Sequence, residues 1–486
     1  MLIFEQSTQH RANHHLYPHE CDQLSTNIPQ SLQRMNPPGL PEVSELEVVR
    51  HYTKLSQKNF SITTQIYPLG SCTMKYNPWA CHQLAMLPNF LQVHPLAPDS
   101  HMQGTLQVMF ELQEMLASLS GMAGCSLSPM AGAQGELAGL LMIKKYLKQK
   151  KLHHKNIVLV PQSAHGTNPA TARMCGFEIV EIASDSRGNV DLDNLKRNIN
   201  DATAAIMLTN PSTYGLYEEH ISTIATCIHE VQGLLYYDGA NLNALLGKVR
   251  PGDIGFDVMH TNLHKTFATP HGGGGPGSGA VLCSKRLLPY LPAPRVYKDK
   301  QKYRISNEKE FSQSIGRLSG GIGNVGVLLR AYSYIRLLGK QGASRVAEFA
   351  VLNANYLLRQ LEKAGYSPAF PNRNAGHEFI ITLAPELKQH GITALHIAKN
   401  LLDYDIHPPT TYFPLQIPEC LLFEPTETES KQALDSVIAA LIDIRRRISS
   451  EPEKLKSAPH TQRLNRLDDT RASHPKHLCL RHQNKN

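Results

Sequence analysis

Lys265 stands in HTNLHKTFATPHGGGGPGSGAVLC (260–283), with His264 before it and a glycine run after it. A lysine on a loop that follows a strand in an α/β fold could form a Schiff base with pyridoxal phosphate (PLP). That chemistry needs an amine held beside the cofactor aldehyde and able to be neutral and nucleophilic. A solvated loop lysine is the plain alternative, so the company it keeps decides. Asp238 ends LLYYD, 27 residues before Lys265. A carboxylate at a strand's carboxyl end can pair with a protonated pyridine nitrogen and make the ring an electron sink. AGAQGE (131–136) opens a helix, and the free N–H groups of Gly132, Ala133 and Gln134 suit a phosphate. His165, in PQSAHGTNPA, could stack on the pyridine face. Asn210, in TNPSTYG, could donate to the cofactor's phenolic oxygen, with Asn241 a weaker candidate for the same contact. Singly, these read as a strand-end cap, a glycine turn and hydrogen-bonded loop residues. In chain order they give a helix-start cradle, a ring stacker, an acid and a lysine, which converge on one sheet edge.

Two other patterns carry less. Gly272, Gly274 and Gly277 satisfy GxGxxG, but a dinucleotide site needs a strand before and a helix after. Here the glycines lead into a strand, GAVLC, so nicotinamide binding is not expected. His260 and His264 are spaced i,i+4 without an HExxH and in what reads as loop, so no metal site is expected.

The elements that must position these residues follow from periodicity. LQVMFELQEMLASL (106–119) and ELAGLLMIKKYL (136–147) read as helices, the first with Leu106, Met109, Leu112, Met115, Leu116 and Leu119 on one face. Short apolar runs then alternate with helices: NIVLV, FEIVEI, AAIMLT, LLYYD, FDVM and GAVLC, with a helix at about 218–232. This pattern implies a mainly parallel sheet covered on both faces, with ligands at the strands' carboxyl ends. After about residue 320, two long amphipathic helices, the strand FIITL and two more helices suggest a smaller α+β domain. The expected organisation is an arm at 1–85, with a helix capped by Ser44 and Glu47, a large domain at 86–325, a small domain at 326–450 and a disordered basic tail at 451–486.

The chain of 486 residues carries a net charge of +8, and +4 of it lies in the tail. The remainder is too weakly basic for a nucleic-acid surface to be the main function. No apolar run reaches the roughly 18 residues a membrane helix needs. The N-terminus lacks a basic segment followed by an apolar stretch, so no signal peptide is expected. Nine scattered cysteines without CxxC pairs fit free thiols in a reducing cytoplasm.

YPLGSCTMKYNP (67–78), AGAQGE, SAHGTNPA (163–170), DGANLNA (238–244) and NLHKTFATPHGGGGPG (262–277) together resemble the P-protein family of the glycine cleavage system, glycine dehydrogenase (decarboxylating). The branch most similar is the second subunit of the two-chain forms, and the resemblance runs to EPTETESK (424–431). It implies the fold-type-I architecture of PLP-dependent transferases, with Lys265 carrying PLP. It also implies a homologous first subunit in an α2β2 assembly and the lipoyl-bearing H-protein as partners. The expected reaction is decarboxylation of glycine and transfer of the aminomethyl group to the lipoyl disulfide, with Lys265 or His264 relaying protons. Arg317, in SIGR, is a candidate for the glycine carboxylate. The loop SGGIGNVG (319–326) and the basic tail depart from the family's form. Two alternatives are another PLP enzyme of this fold, an aminotransferase or desulfurase, and a non-catalytic partner subunit. The last would be expected to have lost Lys265 or Asp238.

Overall fold

The computed structural model describes residues 2–9, 11, 28–36, 38–95, 97–271, 275–306 and 308–478. Residues 12–27 of the arm, Cys21, Cys479, Gly272, Gly274 and the tail from 479 on lie outside the described residues. The chain divides into two compact units, Met1–Thr64 and Gln65–Asn486. Residues 65–85, expected in the arm, therefore pack within the larger unit. There Leu69 bridges to Phe423, and Lys75 is buried.

In the first unit the helix Glu45–Ser56 starts at Ser44. Ser44 Oγ accepts from the Glu47 N–H at 3.3 Å, and the Glu47 carboxylate accepts from the Ser44 N–H at 2.9 Å. This is the expected capping box, which satisfies two N–H groups that the helix cannot. Leu46, Val49, Tyr52 and Leu55 are exposed at three-residue spacing along it.

In the second unit, β1 (Gly124–Ser126), β2 (Ile157–Pro161), β3 (Glu178–Ile182), β4 (Thr203–Thr209), β5 (Leu234–Gly239), β6 (Val258–Asn262) and β7 (Gly279–Cys283) form one sheet in the order β1-β7-β6-β5-β4-β2-β3. β6, β5, β4, β2 and β3 run parallel, and β7 runs against them, pairing antiparallel with both β6 and β1. The near-continuous apolar runs exist because both faces are covered, and every residue of β4 is buried. Side chains alternate between two layers. Ile206, Leu208, Leu235, Tyr237 and Met259 join the core under the helix Gln103–Ser120. Ala205, Met207, Leu234, Tyr236 and Val258 join the core under the helix Gly132–Gln149. Asp238 and His260, two residues past Tyr236 and Val258, fall on this second face by the two-residue period.

The parallel sheet matches the sequence pattern, with three differences. β1 is too short to show periodicity, and it forms by pairing with β7. β6 begins at Val258 and runs through Asn262, and a single helical turn, Leu263–Thr266, follows it directly. His260 is thus a strand residue and His264 a helical one, not loop residues. β8 (Val296–Asp299) and β9 (Lys302–Ile305) make an unforeseen hairpin.

The C-terminal part holds β10 (Ser367–Pro368), β11 (Phe379–Thr382), β12 (Thr410–Thr411) and β13 (Cys420–Phe423), in the antiparallel order β10-β11-β13-β12. The helices Ala394–Leu402 and Lys431–Ser450 pack with it. The two long helices read from sequence appear as Val325–Lys363, broken at Gly339, whose φ of 60° few other residues tolerate.

The stretch after residue 450 is not a disordered extension throughout. Pro452–Lys456 is helical, Leu455 and Ala458 are buried, and the Asp403 carboxylate accepts from the N–H groups of His460 and Thr461 at 2.8 Å. A five-residue helix is too short to leave a periodic signal, and the surrounding charge masked its one apolar anchor. Among the described residues no helix is long and apolar enough to cross a membrane, and the seven described cysteines are free thiols. Leu455→Ala should cost about 2–5 kcal/mol, the range for a buried leucine. Urea unfolding checks this, and an unchanged midpoint would show that the segment is not part of the core.

Candidate functional site

β5 and β6 end side by side, with Asp238 in register with His260. Both are 2 % exposed. His260 Nε2 lies 3.2 Å from Asp238 Oδ1, which also accepts from the Ala240 N–H at 2.9 Å. Asp238 Oδ2 accepts from the Asn168 amide at 3.1 Å. Burial pushes the Asp238 carboxyl upward, but His260, the Ala240 N–H, Asn168 and the Lys265 charge outweigh it and hold the group below its ordinary value. Burial pushes His260 down, against the pull of Asp238. Tyr236 Oη lies 2.7 Å from His260 Nδ1, and burial keeps that phenol protonated. The network therefore assigns the neutral tautomer: Tyr236 donates to Nδ1, and Nε2–H donates to Asp238.

Glu136 sits behind this pair on the Gly132–Gln149 helix and is 3 % exposed. Its Oε1 accepts from Asn168 Nδ2 at 2.7 Å and from Thr167 Oγ1 at 3.1 Å, and Thr171 Oγ1 bonds Oε2 at 3.2 Å. Burial, and then the Asp238 charge, raise its pKa to about 8. The donor atoms of Glu136, Asp238 and His260 lie within 4.8 Å of one another, a spacing a metal could use, but hydrogen bonds inside the network already engage them.

Lys265 lies on the one-turn helix after β6, and among the described residues its side-chain amine makes no hydrogen bond or ion pair. A cavity of about 220 Å³ opens in front of it, and Gly132, Ala133, Glu136, His165, Asp238, Asn241, His260 and His264 also line this cavity. A wider cavity of about 550 Å³, lined by Cys72, Met130, His271 and Gly275–Gly277, shares Ala131, His264 and Lys265 with the first. Burial and the Lys265 charge lower the His264 pKa to about 4, so this imidazole is neutral. Its Nδ1 is 3.0 Å from the Ser278 carbonyl, and as the donor there it leaves Nε2 as an acceptor. His165 Nδ1 accepts from the Thr167 N–H at 3.2 Å, which fixes the ring at the wall.

The structure thus brings Gly132, Ala133, His165, Asp238, Asn241, His264 and Lys265 to one cavity. It does not bring the Asn210 or Arg317 side chains there, and of Gln134 it leaves the backbone N–H at the helix start while the side chain turns away. Gln134 clamps a loop, accepting from the Met130 N–H and donating to the Leu318 carbonyl. Asn210 Oδ1 accepts from the Glu218 N–H. Arg317 is tied to Glu308 at 2.7 Å on the surface. The Asn241 amide donates to Pro211, Ser212 and Glu378, so its N–H groups are already spent. Sequence reasoning missed Glu136, Asn168, Tyr236 and the strand position of His260. The signal available was their place inside motifs already singled out, AGAQGE, SAHGTNPA, LLYYD and the segment around Lys265.

A second buried cluster flanks the cavity. Phe379 pairs with Phe423, so Glu378 and Glu424 are the adjoining residues on neighbouring strands. Glu378 accepts from the Ser71 N–H at 2.8 Å and Glu424 from the Thr73 N–H at 3.0 Å. Burial and the Glu424 charge raise Glu378 to about 8. Burial raises Glu424 to about 7, against hydrogen bonds from Thr73 and the charge of Lys265.

The lining fits PLP on three observations. Ala131 caps the Gly132–Gln149 helix with no side-chain oxygen, so the first-turn N–H groups are left for an anion. A Cβ on Gly132 would collide with the Asn262 amide, so glycine lets that amide approach the helix start closely. Thr209 Oγ1 and Asn262 Oδ1 on the cavity wall are buried without a hydrogen-bond partner among the described residues. With an anion at Asp238 and an unpaired amine at Lys265, the donor set has a group for each polar end of the cofactor.

Comparison with known proteins agrees. The family model described as "Glycine cleavage system P-protein" matches residues 5–403, and "Glycine dehydrogenase, C-terminal domain" matches 346–467. The chain is 57% identical over 473 residues to a "Probable glycine dehydrogenase (decarboxylating) subunit 2" of Nitrosospira multiformis, covering 97% of this chain and 94% of that one. It is 58% identical over 475 residues to the protein of that name in Coxiella burnetii, covering 97% and 96%. Among solved structures, a glycine decarboxylase (P-protein) in inhibitor-bound form matches with a TM-score of 0.70 at 21% identity, covering 89% of this chain and 95% of that one. A cysteine desulfurase from Thermococcus onnurineus matches with a TM-score of 0.62 at 13% identity, covering 79% and 95%. At these identities the structures show the fold, that of the fold-type-I PLP enzymes.

The raised carboxyls make stability pH-dependent. A carboxyl whose folded pKa is raised contributes fully below its unfolded value and loses that contribution as pH climbs through the folded one. The wild type should therefore lose stability between about pH 5 and pH 8. Glu424→Gln, which keeps the acceptor for Thr73, should flatten that loss in melting-temperature measurements. An unchanged slope would show that Glu424 ionises normally.

Proposed function

The chain belongs to the glycine cleavage system P-protein family, and on that footing we propose that it decarboxylates glycine with PLP held at Lys265 and passes the aminomethyl group to the lipoyl arm of the H-protein. Its activity is that of glycine dehydrogenase (decarboxylating). The observation that carries the reading is the convergence of the Asp238 carboxylate, the Lys265 amine and an uncapped helix start on one cavity. An aminotransferase or desulfurase is not favoured, because the relatives at 56–58% identity carry the glycine dehydrogenase name. Lys265 and Asp238 are both present, which speaks against a non-catalytic subunit.

PLP supplies a protonated ring that accepts the electron pair released when the carboxyl group leaves. The chain's residues do the rest. Lys265 Nζ would hold the cofactor's aldehyde, and its amine would be available to accept or return a proton. Asp238 keeps the proton on the ring nitrogen. The N–H groups of Gly132 and Ala133 bind the phosphate. His165, on the cavity wall, would pack against the ring and help to orient it. His264 Nε2, neutral and partly buried, moves protons together with Lys265 Nζ.

The reaction balances on the lipoyl disulfide. The bond from the α-carbon to the carboxylate breaks and carbon dioxide leaves. The remaining electron pair forms a bond to one sulfur, the S–S bond breaks, and the second sulfur takes a proton. The α-carbon is oxidised and the disulfide reduced, so NAD has no part in this step. The wider cavity supports this reading because it offers a second approach to Lys265. The relatives' designation as a second subunit supports a first-subunit partner, which we place in an α2β2 assembly in the cytoplasm.

Lys265→Ala should abolish both the visible absorbance of the bound cofactor and glycine–bicarbonate exchange, measured with the partner subunit present. Borohydride reduction of the wild type should leave a pyridoxyl group on the peptide containing Lys265. Retained exchange in the variant, or an adduct mapped elsewhere, removes Lys265 from this role.

A further inference from the structure

We propose that Glu136 is the ionising partner of Asp238: a neutral acid while no cation touches Asp238, and a carboxylate once the protonated ring nitrogen of the cofactor stands against it. The proposal rests on the cofactor reading above and goes beyond it, because Glu136 then supplies the second negative charge that keeps the ring protonated.

Geometry carries it. One amide, Asn168 Nδ2, donates to Glu136 Oε1 at 2.7 Å and to Asp238 Oδ2 at 3.1 Å. Two carboxylates tied to one amide inside a protein do not both ionise unless a cation compensates. The charge falls on Asp238, because its oxygens also meet the Ala240 N–H, a backbone donor that cannot reverse, and the His260 ring. The other partners of Glu136 are the hydroxyls of Thr167 and Thr171. A hydroxyl donates to a carboxylate or turns to accept from a carboxylic acid, so Thr171 satisfies Glu136 in either state, while the Thr167 hydroxyl is shared with His165 Nδ1 at 2.8 Å. Glu378 and Glu424 differ, since fixed backbone N–H groups hold them.

The groups facing Glu136 leave it as the one that yields. They are Asp238 and Tyr236 from β5, His260 from β6 and His165 ahead of the Thr167–Met174 helix. Burial keeps the tyrosine protonated and both histidines neutral. Lys265 is the cation across the cavity and acts on Asp238. Near neutral pH, Glu136 is a carboxyl raised to about 8 with room to fall when positive charge arrives. When the ring nitrogen faces Asp238 with its proton, the Glu136 O–H bond breaks, the proton leaves to solvent, and the new carboxylate balances the new cation.

The test counts protons. The full chain, with its partner subunit and freed of cofactor, is titrated with PLP by calorimetry at pH 7 in buffers of different ionisation enthalpy. Protons exchanged by the cofactor and by Lys265 are common to wild type and Glu136→Gln, and cancel in the comparison. The wild type should release about one proton more per chain than the variant. In the unmodified protein, the infrared difference spectrum on adding PLP should show loss of a carboxylic-acid carbonyl band, a readout that needs no variant. Equal proton counts, or no loss of that band while PLP binds, overturn the proposal with the cofactor reading intact. A wild type that takes up no PLP overturns both.

Discussion

A carboxylate with 2 % exposure stays charged at the end of β5 because three donors converge on its two oxygens. An isolated buried charge would be too costly to keep, and would be neutralised. Asp238 escapes this because the sheet supplies the donors: His260 by register from the next strand, the Ala240 N–H by the turn after β5, and Asn168 from the helix after β2. Tyr236, one residue pair below, sets the tautomer of His260 from the same face. Placing one anion thus fixes the register of two strands and the start of a helix. The glycines around it are the price of that closeness: a Cβ on Gly135 would press on His260, and one on Gly239 would strike its carbonyl.

The cavity is held from three parts of the larger unit. Asn241 and the Ser71 N–H both bond Glu378, which ties the large sheet and the 65–85 segment to the C-terminal sheet. Lys75 repeats the tie a few residues on. Its buried ammonium pairs with Glu427 at 2.6 Å and donates to Asn243 and to the Thr266 carbonyl beside Lys265. Breaking one partner of such a pair leaves an uncompensated buried charge, so these contacts fix geometry even where they add little net stability.

Much of this was legible in the sequence. Apolar runs of five or six residues gave the strands, because buried parallel strands need no alternation. Asp238 stood at a strand's end and Lys265 shortly after one, where side chains emerge from the sheet. Gly132 and Ala133 opened a helix with no polar cap. What escaped needed the third dimension. The partnership of Glu136 with Asp238 joins residues about a hundred positions apart, and only the packing of a helix on β5 makes them neighbours. Asn210 had suitable chemistry but lies off the cavity lining with its oxygen taken by the Glu218 N–H, and in Gln134 it is the side chain, not the N–H, that backbone groups claimed. Arg317 had the right charge and a nearer carboxylate. His260 looked like loop because the strand runs on through polar residues, a run that only its neighbours' hydrogen bonds justify.

Lys265 stands where a small chamber and a larger one share a wall. Traffic to the amine is therefore not single-file. A compact reactant and a bulky one can come from different sides, and neither has to vacate before the other arrives. Widening one chamber by substitution at Met130 or His271 would alter the admission of the larger visitor while leaving the seat of the smaller one undisturbed.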